Sequence, residues 1–484
     1  MKGIRRRFLE NLCQVGLLFL DIGALRGLLI GRMEQLLWKA VVEDEREAIR
    51  PAQELKFYFV RNLLRCTDRH LRRGWMSKGV FHRMVRVFAR GVLLEDIEER
   101  DKVRGKEAVP RPSFIVISPT QRCNLHCPGC YAGSSSHTGG SLPYSVVSRI
   151  LREKTLLWHS HFTVVSGGEP FLWESEGKGI VELAKQHDDN FFMVYTNGTL
   201  IDEKVADSLA EAGNFTPVIS VEGFEEKTDK RRGKGTFKKV LQAFERLRKV
   251  GVPFGISVVA DRENWDEVTS REFLRFFFDE EGAFYGWLFQ YMPIGRGYNL
   301  REMVTAEQRL EMFRRDVEAI KAGYNYIDFW NQGVMTDGCL AAGRMGGYLY
   351  VDWNGNVMPC VFVPYYEDNI LEIYRRGGSL DDVLKSNFFR KIREWQEEYA
   401  LGKPPGERGN LILPCPIRDH HEVIWRLLRE MKIKAADPSA LQILDDEDYH
   451  RGLLSYDEEL KGVLDPVWDA EFRRPCLTAG EGCD

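Results

Sequence analysis

Six short apolar runs limit the fold of this 484-residue chain more than any other feature: FIVIS (114–118), FTVVS (162–166), FFMVYT (191–196), PVISV (217–221), FGISVV (254–259) and GWLFQYM (286–292). Each is five to seven residues of nearly continuous hydrophobic sequence, and helix-patterned stretches separate them. An antiparallel strand with one wet face would alternate polar and apolar residues. Continuous apolar strands joined by helices instead predict βαβ units and parallel strands covered on both faces. Six such units suit a partial (β/α)6 TIM-like barrel better than the closed eight-stranded form. The polar clusters of the chain follow directly on these runs. That places them on the face formed by the carboxyl ends of the strands, where α/β barrels collect their chemistry.

The flanks have a different rhythm. Residues 1–110 carry apolar positions at helical spacing. Between Arg61 and Arg90 stand Arg61, Arg65, Arg69, Arg72, Arg73, Lys78, Arg83, Arg86 and Arg90 against a single acid, Asp68, although the whole chain has a net charge of −4. This predicts a basic amphipathic helical region, closed off by Pro110 and Pro112. Arg5, Arg6, Phe8 and Leu9 resemble part of a twin-arginine signal, but Asp21 and Arg26 break the apolar stretch, so neither export nor a membrane span is expected. After the barrel, 111–300, a connecting helix is expected over 301–330. A small domain over 331–425 follows, with the hairpin GGYLYVDWNGNVMPC turning at Asn354-Gly355, a pair that tolerates positive φ. A helical tail occupies 426–484.

Ten cysteines are too few for a disulfide scaffold in a chain of this length, and they cluster. Cys123, Cys127 and Cys130 fall within eight residues of the loop after the first run. Thiolates so close hold a soft metal or an iron–sulfur cluster. Zinc would need a fourth ligand, for which His126 and His137 are at hand. A cluster held by three cysteines would leave one iron open to a small ligand.

Cys123-x3-Cys127-x2-Cys130 resembles the signature of the radical S-adenosylmethionine (radical SAM) superfamily, and the resemblance extends over residues 113 to about 300. It implies a [4Fe–4S] cluster whose open iron binds S-adenosyl-L-methionine (SAM). Reductive cleavage of SAM to a 5′-deoxyadenosyl radical follows, then removal of a hydrogen atom from substrate. Further matches fall in order. Gly167, Gly168, Glu169 and Pro170 form the GGEP turn after strand two, with Glu169 implied at the amino group of SAM. Asn197 lies in TNGT after strand three. Ser220 and Glu222 follow strand four, facing the methionine or ribose. Arg232 matches a basic residue that pairs with the SAM carboxylate; its alternative is a solvated helix charge. Relatives often carry an aromatic residue before the third cysteine. Gly129 stands there instead, with Tyr131 just after as a candidate for adenine packing.

Cys339-x15-Gly355-x4-Cys360, followed by Cys415, resembles the SPASM and twitch extensions that hold auxiliary iron–sulfur clusters, and the absence of a further cysteine run favours the shorter twitch-like form. The fourth ligand is left open among Cys476, Cys483, a non-cysteine group and the substrate. Cys13 and Cys66 read as plain apolar residues. His420 and His421 read as a surface pair, and Tyr291, Tyr348 and Tyr350 as ordinary strand residues.

The functional expectation is a cytoplasmic radical SAM enzyme served by an external electron donor of flavodoxin or ferredoxin type. Its basic helices could meet the anionic inner face of the membrane, which would make a lipid chain the substrate. Nucleic acid is the weaker reading of the same charges. A peptide-modifying maturase is the competing enzyme, and a non-enzymatic iron–sulfur or zinc scaffold the alternative from another class. A scaffold has no use for GGEP or Glu222.

Overall fold

A computed structural model describes residues 23–44, 49–87, 110–431 and 433–473. All six apolar runs form strands: β1 (Phe114–Ile117), β2 (Phe162–Val165), β3 (Phe191–Thr196), β4 (Phe215–Val221), β5 (Gly255–Ala260) and β6 (Tyr285–Gln290). They lie side by side in chain order and pair in parallel. Helices cross between them: α3 (Tyr144–Trp158), α4 (Ile180–Gln186), α5 (Glu203–Ala212), α6 (Glu225–Arg232) and α7 (Thr236–Val250). The two faces of a strand divide as expected for strands covered on both sides. Ile115 and Ile117 of β1 join the core under the helices, while Val116 joins an interior cluster with Val164, Tyr348 and Tyr350. In α7, Val240, Ala243, Phe244 and Leu247 form the buried stripe, and Gly251 ends the helix at φ 73°.

The sheet runs beyond six strands. The segment 301–330 contains helix α8 (Ala306–Ala322), capped by Thr305 with Gln308, and then strand β7 (Tyr326–Asp328), which adds in parallel to β6. Its three residues are too few to show a period of their own. On the opposite edge β8 (Tyr348–Val351) pairs in parallel with β1, and β9 (Asn356–Met358) and β10 (Asp368–Asn369) follow antiparallel. The order is β10-β9-β8-β1-β2-β3-β4-β5-β6-β7. β7 and β8 do not pair, so the barrel is partial, and the hairpin of 331–425 continues its sheet. The hairpin turn uses only one left-handed residue, Gly355 (φ 82°). Asp352 fixes the turn by accepting from the backbone N–H groups of Asn354 and Asn356.

The arginines of the stripe between Arg61 and Arg73 have partners within the chain, while Arg90 lies outside the described residues. α2 (Arg50–Arg73) packs on α8 through Asn62, which donates to the carbonyls of Ile320 (2.7 Å) and Tyr324 (3.2 Å). Arg65 pairs with Glu34 of α1 (Gly23–Trp38) at 2.6 Å, Arg69 with Asp279 at 3.0 Å, and Arg72 and Arg26 with Asp68. Arg73 donates to the Asp279 carbonyl and lies over Trp75. Among the described residues no helix is long and apolar enough to cross a membrane. Cys66 is a buried core residue, as expected; Cys13, Cys476 and Cys483 lie outside the described residues.

Candidate active site

The loop after β1 is stitched to the turn after β2. The Gly168 N–H donates to the Thr120 carbonyl at 2.9 Å and the Glu169 N–H to the Arg122 carbonyl at 2.7 Å. This approach requires glycines. Gly167 has φ 112°, and a Cβ at Gly168 would stand 2.1 Å from the Arg122 carbonyl oxygen. GGEP is therefore the surface against which the cysteine loop is laid. A second brace comes from Arg296, after β6. It donates to the carbonyls of Cys127 (2.9 Å), Gly133 (2.9 Å) and Ser134 (2.5 Å), and its own N–H donates to the Cys130 carbonyl. Arg296 was not legible as a site residue; a glycine-flanked arginine directly after a strand, GRG, was the available signal.

Cys123, Cys127 and Cys130 sit half-buried on this loop. Cys123 Sγ accepts from the Leu125 N–H at 3.4 Å and from Asn197 Nδ2 at 3.8 Å. Burial pushes its thiol up to about 11, and Glu169, Cys127 and Cys130 add to that. Burial also raises the Cys127 thiol, opposed by the nearby Arg232 guanidinium. Free, the Cys123 and Cys127 thiols are thus protonated near neutrality, and a bound metal would have to displace their protons.

Glu169 is fully buried at the centre of the arrangement. It accepts from Thr196 Oγ1 (2.7 Å), the Asn197 N–H (2.8 Å) and the Phe171 N–H (3.2 Å), so the strand-two and strand-three turns share one carboxylate. Burial raises its pKa against these bonds. Pro170 opens the short 3-10 turn that follows. Glu222 and Arg232, read from sequence as separate SAM contacts, are bonded to each other. Arg232 Nε and Nη2 donate to Glu222 Oε1 at 2.9 and 2.5 Å, and Arg231 Nη1 donates to Oε2 at 2.9 Å. Both arginines project from α6, one after the other, and Arg231 also reaches the carbonyls of Pro128 and Gly129. Arg232 is therefore not a solvated helix charge. Ser220 is half-buried near the end of β4.

Gly129 has φ 62°, and the ring edge of Tyr291 stands 3.0 Å from where its Cβ would be. Tyr291, from the end of β6, thus closes on the position where relatives carry an aromatic side chain. Tyr131 turns inward: its hydroxyl donates to Ser166 Oγ (3.2 Å) and accepts from the Gly167 N–H (3.1 Å). Its ring lies 6.3 Å from that of Phe362.

Phe362 leads to the second triad, its N–H donating to Cys360 Sγ at 3.4 Å. Cys339 follows β7, Cys360 follows β9, and Cys415 precedes α9 (His421–Met431). The three thiols are half-buried, like those of the first triad. Burial, reinforced by Cys339, raises both others: Cys360 up to about 12, and Cys415 further, with Asp419 contributing before Cys339. Cys339 and Cys360 each accept from the N–H two residues on, as Cys123 does. The Tyr348 hydroxyl lies 2.9 Å from Cys360 Sγ. Beside Cys415, Asp419 accepts from its N–H, and Arg309 grips Asp419 with two bonds (2.6 and 3.1 Å). His421 is buried rather than on the surface, its pKa lowered to about 4 by burial; half-buried His420 packs on Trp395 and Tyr399.

Each triad offers three thiol donors and electrostatic contact between them, a set that fits an iron–sulfur cluster. Among the described residues no three His, Cys, Asp or Glu side chains are gathered tightly enough to hold a single metal ion.

Residues 117–274 match the family description "Radical SAM superfamily". The chain is 29% identical to an AdoMet-dependent heme synthase of Methanosarcina barkeri, over 59% of this chain and 86% of that protein. It is 28% identical to the mycofactocin maturase MftC of Mycolicibacterium smegmatis, over 61% and 76%. Streptococcus suis SuiB, in a crystal structure with bound S-adenosylmethionine, has the same fold, with TM-score 0.50 and 16% identity over 66% of this chain and 75% of that one.

Proposed function

The chain is an enzyme of the radical SAM superfamily, and from that premise we propose that Cys123, Cys127 and Cys130 hold its [4Fe–4S] cluster and that the strand-end turns around them hold SAM. The bound pair supplies one-electron cleavage of the sulfonium and a carbon radical able to take hydrogen from an unactivated C–H bond. The carrying observation is the convergence of the cysteine loop, the GGE turn and the Glu222–Arg232 pair on one end of the parallel sheet.

Each residue has a distinct task in this reading. Gly167 and Gly168 let the cysteine loop lie close against the turn. Glu169, raised by burial and already given three donors, is a fixed acceptor for one more, the ammonium group. Asn197 holds Cys123 in place and orders the TNGT turn. Arg232 offers positive charge next to Cys127 for the SAM carboxylate, with Glu222 fixing its orientation. Ser220 faces the ribose. An external donor of flavodoxin or ferredoxin type supplies the electron. Cys339, Cys360 and Cys415 hold an auxiliary iron–sulfur cluster, its fourth ligand open.

The substrate moiety that enters the barrel is apolar. Tyr131, Tyr195, Phe289, Phe329 and Phe362 are all half-buried, and their rings form one contiguous set, 5.4 to 6.3 Å apart. Such walls suit a ring system or an aliphatic chain, where polar catalysis has no purchase. The heme synthase relative favours a ring; a membrane lipid chain is the second apolar candidate, weakened because the arginines of α2 are paired internally. A peptide, the substrate of the competing maturase reading, would present an apolar side chain to the same walls. Anaerobic protein reconstituted with iron and sulfide, given dithionite and SAM, should release 5′-deoxyadenosine. Flotation with anionic vesicles tests the lipid candidate: equal recovery of the full chain and of one lacking residues 1–110 counts against it.

A further inference from the structure

Two buried polar groups stand near the second triad, one bonded to a thiol and one with unmet donors. Tyr348 is buried, its ring stacked on Phe114 at 5.0 Å, and its hydroxyl points at Cys360 Sγ, 2.9 Å away. The same hydroxyl feels all three thiols of the triad. Arg418 lies three residues after Cys415 and is fully buried, with its guanidinium carbon 4.5 Å over the Trp330 ring. Its Nε donates to Asp419 at 3.2 Å, but among the described residues Nη1 and Nη2 find no acceptor. Asp419 is also the carboxylate that Arg309 holds with two bonds. Two buried guanidinia thus share one carboxylate through direct bonds. Two further carboxyls, Asp328 and Asp457, lie within electrostatic reach, and burial raises both, Asp457 to about 7, but neither bonds Arg418. A buried cation with unmet donors is costly, so a structure that keeps one has an anion nearby.

Three thiolates on an iron–sulfur cluster are such an anion, since the assembly carries net negative charge and gains more on reduction. We propose that Tyr348 and Arg418 form the outer shell of an auxiliary cluster held by Cys339, Cys360 and Cys415, the phenol donating to the Cys360 thiolate and the guanidinium balancing the charge, so that both raise the cluster's reduction potential. This rests on the auxiliary-cluster reading above. A hydrogen bond to a ligating sulfur and a fixed cation each stabilise the more negative, reduced state. Neither residue touches the first triad in this assignment; both are positioning residues, and the cluster they serve is tuned to hold an added electron.

The test uses the full chain with Cys123, Cys127 and Cys130 replaced by alanine, so that only the second cluster forms on anaerobic reconstitution. Its potential is read by electron paramagnetic resonance during a redox titration, at matched iron and sulfide content. Tyr348→Phe, which keeps the ring, and Arg418→Gln should each move the potential to more negative values, and Arg418→Lys should restore most of the second shift. If Arg418→Gln fails to load iron, Tyr348→Phe decides alone. An unchanged potential in Tyr348→Phe, or the same shift in Arg418→Lys as in Arg418→Gln, overturns the assignment. Absence of iron from the parent triple variant, while the wild-type chain still cleaves SAM, overturns the auxiliary-cluster reading itself and leaves the first site standing.

Discussion

The two cysteine triads are assembled in opposite ways. Cys123, Cys127 and Cys130 come from one loop, and that loop is held from outside by glycine turns and by Arg296. Cys339, Cys360 and Cys415 come from three segments up to 76 residues apart and meet inside the fold, walled by Tyr348, Trp330 and the Arg309–Asp419 pair. A local triad can form as soon as its loop does and can remain open on one side to a small ligand. A dispersed triad exists only when the tertiary structure is complete. Openness suits a cluster that must bind and release SAM; enclosure suits one whose potential is set by fixed groups.

Cys127→Ala breaks the contrast most severely. It should abolish 5′-deoxyadenosine formation altogether, measured by chromatography of anaerobic reactions, while iron falls by about half if each triad holds one cluster of the same type. Cys415→Ala should cost the same share of iron, by colorimetric iron and sulfide assay, yet retain SAM cleavage. If cleavage is lost there too, the triads are not independent. Gly168→Ala is a smaller perturbation of the open site. Its methyl would meet the Arg122 backbone 2.1 Å away, so the loop must move. Reconstitution of the first cluster should become incomplete, visible as reduced absorbance near the cluster's charge-transfer bands, with the second unaffected. Arg309→Met addresses the enclosed site alone. Asp419 would lose its two-bond partner, and breaking a buried pair costs about 3–5 kcal/mol. Chemical denaturation should show this loss, with SAM cleavage at the first cluster intact.

The same difference explains what could be read in advance. Six strands and their order were written in runs of apolar residues because each strand is covered on both faces, and the first triad was written in spacing because its geometry is local. The seventh strand, Tyr326–Asp328, has only three residues, and its acid carries no strand signal; Asp328 is there to accept from the Asn331 and Trp330 N–H groups. β8 was visible as a hairpin strand, but its parallel partner is β1, with Phe114 opposite Tyr348 and Ile117 opposite Val351, and no local pattern encodes a pairing across 234 residues. Glu222 and Arg232 were both recognised as site residues, while their bond to each other depends on where α6 begins. Arg296, Tyr348 and Arg418 matter through distant partners. A tyrosine in an alternating strand or an arginine after CPI looks ordinary until the fold brings a thiol beside it.

The account rests on the first cluster having an iron that the polypeptide leaves free. The direct measurement is electron paramagnetic resonance of the reduced Cys415→Ala protein, which isolates that cluster, before and after SAM is added. The account predicts a cubane signal whose g-values shift when SAM binds. A signal indifferent to SAM, or the spectrum of a mononuclear ion, would contradict it.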